Sequence, residues 1–103
     1  MIKISVLYPN QDGGRFDMDY YCQRHIPMVI EKLGTVCKGV SVLQGLSGMT
    51  PGTPAPFCVL ADLLFESVEA FQSAFAPHAT EIMADIPQYT TIQPIIQINE
   101  VKI

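Results

Sequence analysis

The chain has 103 residues, the size of one domain spanning residues 1–103, and that length buries roughly two-thirds of its unfolded surface without disulfides or metal. Charged residues make up 16% and hydrophobic ones 49%, against a usual charged share of about 25%, so an apolar cavity, a homo-oligomer interface, or both are expected. Six Lys and Arg against ten Asp and Glu leave a net charge of −4, which offers no attractive field to nucleic acid or to an anionic membrane surface.

Residues 2 to 8 alternate, with Ile2, Ile4, Val6 and Tyr8 on one side and Lys3, Ser5 and Leu7 on the other. They predict a first strand, ended by Pro9, Asn10, Asp12, Gly13 and Gly14. Asp17 is placed to cap a helix whose apolar positions Met18, Tyr21, Cys22, His25, Met28 and Val29 recur every three or four residues, with Gly34 closing it. Pro27 inside that helix removes the donor for the Gln23 carbonyl, so a kink or restart is expected near His25.

Val36 to Leu46 and Phe57 to Glu66 are β-branched alternating runs, read as an antiparallel second and third strand around a turn-rich loop. Ser67 caps a second helix carrying Val68, Phe71, Phe75, His78, Ala79, Ile82 and Ile86, interrupted at Pro77 and stopped at Pro87. Ile92 to Ile103 reads as the last strand. The order βαββαβ predicts an α+β, ferredoxin-like fold: a four-stranded antiparallel sheet with both helices on one face.

No membrane-spanning run is present, because the least charged stretch is broken by Gly45, Gly48, Pro51, Gly52, Pro54 and Pro56. The N-terminus lacks the long apolar core of a signal peptide, and Cys22, Cys37 and Cys58 are an odd set without metal-ligand spacing. Free thiols, a cytoplasmic location and no metal or other cofactor are the expectations.

With the helices on one side, the strands turn Lys3, Ser5 and Leu7, then Cys58, Leu60, Asp62 and Leu64, then Gln93, Ile95, Gln97 and Asn99 to the open face. This half-apolar face with isolated polar groups suits packing against a second copy around a lined cavity, or an ordinary solvated sheet.

The segments Phe16-Asp17-x-x-Tyr20-Tyr21-x-x-x-His25-x-Pro27, Phe65-Glu66-Ser67, Asp85-Ile86-Pro87-Gln88-Tyr89-Thr90 and Gln93-Pro94-Ile95-Ile96-Gln97, with the MIKISVLYPN start, resemble the EthD family over nearly the whole chain. That family is named for a protein encoded with a bacterial ethyl tert-butyl ether degradation system. The resemblance implies a homodimeric α+β barrel in which two ferredoxin-like subunits face their sheets together. Similar barrels include isomerases, polyketide cyclases, dehydratases and small monooxygenases, and fold does not choose among them.

The site candidates follow from side-chain chemistry. His25 is the first choice for a base or acid, with Tyr21 one turn earlier and Asp62 assisting. Each has a structural alternative: His25 can bond a backbone group freed by Pro27, Tyr21 can pack, and Asp62 can pair with Lys3. Tyr20, His78, Tyr89, Lys3, Gln97 and Asn99 are the remaining ligand-binding candidates. The resulting expectation is a protein that binds a small apolar or aromatic molecule in a degradation pathway, with cofactor-free proton transfer as in isomerases, cyclases and dehydratases. The alternatives are a carrier or accessory protein of a monooxygenase system, or a cofactor-free monooxygenase.

Overall fold

The computed structural model describes residues 1–103. Its strands are β1 (Ile2–Pro9), β2 (Gly39–Gln44), β3 (Phe57–Phe65) and β4 (Ile95–Glu100). They form one antiparallel sheet in the order β2-β3-β1-β4, the ferredoxin-like arrangement that the element order predicts. The helical layer between β1 and β2 is α1 (Met18–Tyr20), a π-helical turn (Tyr21–His25) and α2 (Ile26–Leu33); between β3 and β4 it is α3 (Val68–Phe75) and α4 (Ala79–Ala84).

Local chemistry sets the ends of these elements. The Asp17 side chain accepts from the Tyr20 N–H, and Ser67 accepts from the Ala70 N–H, each satisfying an orphan donor of a first turn. Gly34 ends α2 at φ 68°, a conformation in which a Cβ would be strained. Pro27 cannot donate backward, and the turn before it is widened: the Ile26 N–H reaches the Tyr21 carbonyl five residues back. The α-helix then resumes with Pro27 in its first turn, where no donor is needed.

Strands β2, β3 and β4 are shorter than in the sequence reading, and the late starts of two of them have a local cause. β2 starts at Gly39, because Gly34–Val36 continues as a 3-10 turn after α2. β4 starts at Ile95, because Pro94 has no N–H to pair and Ile92 is buried in an aromatic cluster instead.

The helices cover the face of the sheet that carries Ile4, Val59, Ala61, Leu63 and Phe65, all buried. Ile4, Leu63 and Phe65 pack with Val29, Leu33 and Ile82 in one cluster, and Tyr8, Val59 and Ala61 pack with Tyr21, Tyr89 and Ile92 in a second. The other face is open. Cross-strand register puts Leu43, Leu60, Leu7 and Ile95 in one apolar row across it, and Ser41, Asp62, Ser5 and Gln97 in a polar row beside that.

Candidate active site beneath the helices

A cavity of about 370 Å³ lies between the helical layer and the covered face of the sheet. Aliphatic and aromatic side chains from β1, α2, α3 and α4 make up most of its wall, and the lining side chains that carry a polar group are His25, Tyr8, Tyr21 and Tyr89. Met83 and Ile96 line it while remaining about half exposed, which marks the mouth between α4 and β4.

His25 ends the π turn and is 5% exposed. Its Nδ1 lies 2.9 Å from Asp85 Oδ2, and the other carboxylate oxygen accepts from the Tyr20 hydroxyl at 2.8 Å. A carboxylate oxygen accepts, which assigns the hydrogen to Nδ1 and leaves Nε2 as the accepting nitrogen. Nε2 is 3.4 Å from Tyr89 Oη, which in turn is 2.7 Å from Tyr8 Oη. Donation therefore runs from Tyr8 to Tyr89 to Nε2, with Nδ1 donating to Asp85.

Burial pulls the His25 pKa below its ordinary 6.5, against the opposing pull of the Asp85 bond, so the ring is neutral at pH 7. Burial also raises the Tyr8, Tyr21 and Tyr89 hydroxyls well above the ordinary phenol value, which keeps them as donors. The Tyr20 hydroxyl is raised chiefly by its bond to Asp85. Tyr21 stacks on the imidazole, ring centroids 5.5 Å apart and planes 14° from parallel, and so fixes the ring's plane. Residues 21 and 25 are four apart, which places them over one another on the cavity side.

The EthD domain model matches residues 15–92, a span that holds the π turn, Asp85 and Tyr89. The chain belongs to the EthD family. An EthD-like protein from Ralstonia eutropha, solved by crystallography, is 43% identical with a TM-score of 0.95, over 99% of this chain and 92% of that one. An EthD-family protein from Bacillus halodurans is 18% identical at TM-score 0.73, over 98% of each chain, a likeness of fold. A dimeric ferredoxin-like protein from Thermobifida fusca shares the fold at 14% identity and TM-score 0.58, over 97% of this chain and 90% of that one. No curated protein matches the chain.

Within this EthD fold the residues singled out from sequence divide between the two faces. His25, Tyr21 and Tyr89 meet at the cavity, with Tyr20 behind them on Asp85. Asp62, Lys3, Gln97 and Asn99 lie on the open face, where Asp62 accepts from Ser5 Oγ at 2.6 Å rather than pairing with Lys3. Ser5 accepts from Asn99 at 2.8 Å, and Asn99 accepts from Gln97 at 2.6 Å, so these groups satisfy one another. Lys3 and Asp62 border only a shallow groove of about 180 Å³. Within the single chain the apolar cavity is on the covered face, and the open face, which the sequence reading pairs with a second copy, carries only that groove.

His78 is the other displaced candidate. Pro77 drives Ala76–His78 into a 3-10 turn, the helical phase slips, and His78 falls outside the cavity wall while Phe71, Phe75 and Ile82 stay in it. Two residues of the site are not among the candidates named from sequence. Asp85 sits between Ile82 and Ile86 at the end of an apolar stripe, an unusual place for an acid; Tyr8 ends the inward parity of β1, where a buried phenol needs a partner.

Proposed function

We propose that this EthD-family chain binds a small apolar or aromatic molecule in the cavity beneath its helices and moves a proton on it, with His25 as the base and no cofactor. The observation that carries this reading is the asymmetry of the imidazole: Nδ1 is held by Asp85 at 2.9 Å outside the cavity wall, and Nε2 is aimed at Tyr89 within it. A neutral imidazole whose Nε2 is bare takes a proton from a hydroxyl or an acidic carbon, and Asp85 stabilises the imidazolium that forms. Tyr89 and Tyr8, held protonated by burial, supply hydrogen bonds to charge that develops on a ligand oxygen. Returning the proton to a different atom gives isomerisation; delivering it to a departing hydroxyl gives dehydration.

The same reading includes a homodimer closed sheet to sheet. The apolar row Leu43, Leu60, Leu7 and Ile95 supports it, since Leu43 and Ile95 are more than half exposed in the single chain. The Thermobifida fusca protein of the same fold is itself dimeric.

Native mass spectrometry of the freshly purified protein, with identification of any released small molecule, supplies the substrate class. With that compound, His25→Gln is expected to lower turnover by about 10²- to 10⁴-fold while the variant still takes up ligand and melts cooperatively. Turnover unchanged in the variant removes His25 as the base, and a wild-type protein that consumes nothing it binds makes the chain a carrier.

A further inference from the structure

We infer that the ligand of this cavity is uncharged and presents a single hydroxyl, phenolic or enolic, to His25, and that carboxylates of the same skeleton are rejected. The inference rests on the cavity being the binding site and adds what the site selects. No Lys or Arg stands in its wall. The charge in contact with the imidazole is the Asp85 carboxylate, while Arg24 stands farther out, 5.9 Å over the Tyr20 ring, so a second carboxylate at the polar end of the cavity would meet a like charge first.

The two groups that would meet a ligand's polar atom are complementary in a specific way. Nε2 offers a lone pair and needs a donor; the Tyr89 hydroxyl, 3.4 Å away, offers a hydrogen and needs an acceptor. That distance is at the long end for a hydrogen bond, so the Tyr89 to Nε2 contact is weak and a ligand oxygen can interpose at little cost. A hydroxyl serves both partners through one oxygen, donating to Nε2 and accepting from Tyr89. A carboxylate has nothing to donate: its lone pairs face that of Nε2, with Asp85 behind. Protonating His25 to receive it would bury two carboxylates around one imidazolium among aliphatic side chains, an uncompensated negative charge. Volume limits the skeleton, because about 370 Å³ equals the share of about a dozen water-sized groups in liquid water, enough for two fused aromatic rings.

The test compares naphthalene, 2-naphthol and 2-naphthoate by calorimetric or fluorescence titration of the wild-type protein at pH 7. The expected order is 2-naphthol about tenfold tighter than naphthalene and 2-naphthoate about a hundredfold weaker than 2-naphthol. Asp85→Asn, whose affinity for naphthalene reports an intact cavity, is expected to narrow the gap between naphthol and naphthoate. Naphthoate binding as tightly as naphthol overturns the inference while leaving the cavity as a binding site. Failure of all three, naphthalene included, overturns the cavity reading and the inference with it. A gap unchanged in Asp85→Asn contradicts the assignment of the repulsive field to that carboxylate, and the wild-type order alone decides the selection if the variant does not fold.

Discussion

The two faces of this one sheet use polar groups in opposite ways. On the open face, Ser5, Asp62, Asn99 and Gln97 form a chain of hydrogen bonds among themselves, each filling its neighbour's need. On the covered face, the chain from Tyr8 through Tyr89 and His25 to Asp85 passes the edge of an apolar cavity and is stretched to 3.4 Å at Nε2. The open-face groups are thus saturated by one another, whereas the covered-face network has one long contact at the cavity edge. Asp62 is an acid among apolar neighbours whose carboxylate is met by Ser5 within the chain; His25 Nε2 is met only by the stretched Tyr89 contact beside the cavity.

The largest contrast between the faces is in stability. Phe65 is fully buried on the covered face, and Phe65→Ala is expected to cost about 3–5 kcal/mol in urea unfolding. Leu60→Ala, on the half-buried open face, should cost roughly half that or less at concentrations where the chain is monomeric. Equal costs would mean that the open face is covered by something within the chain.

Association should show the reverse preference. Leu60→Lys places a charge in the middle of the apolar row, and sedimentation should find the variant monomeric at concentrations where the wild type is dimeric. The imidazole signals of His25, on the far side of the sheet, should not move. A variant that still dimerises puts the interface elsewhere.

A smaller effect separates the faces by pH. His25 has a folded-state pKa below its ordinary 6.5, so the unfolded chain binds more protons in the interval between the two values. Its contribution to stability is present in full above pH 6.5 and is lost as the pH falls through the folded-state value. His25→Gln should flatten that acid-side fall in midpoint denaturant concentration, while Asp62→Asn should leave the His25 component in place. The smallest effects are local: Asp17→Ala and Ser67→Ala each remove a side-chain cap and should cost about 1 kcal/mol.

The architecture was legible because it is written in short-range pattern. Period-two alternation identified the inward parity of β1 and β3, Asp17 and Ser67 marked the helix starts, and Gly34 marked a stop. The motif around His25 was legible as well, and it led to the family. What was not legible depends on contacts across the fold. Asp85 is 60 residues from His25, and nothing local says that the end of α4 lies against the π turn. The phase slip at Pro77 that removes His78 is visible as a proline but not as a rotation of a particular size. The side of the sheet that holds the cavity depends on how far bulky helix residues such as Phe71 and Phe75 hold the helices off the strands, which is a property of packing rather than of periodicity.

The proposed chemistry requires His25 Nε2 to be unprotonated beside the cavity. Long-range proton–nitrogen correlation NMR on the ¹⁵N-histidine-labelled protein reads it directly, with His25→Gln used to assign the signals. The account predicts that at pH 7 His25 is neutral with the hydrogen on Nδ1 and Nε2 unprotonated, titrating below 6.5. A hydrogen on Nε2, or an imidazolium that persists above pH 7, would contradict it.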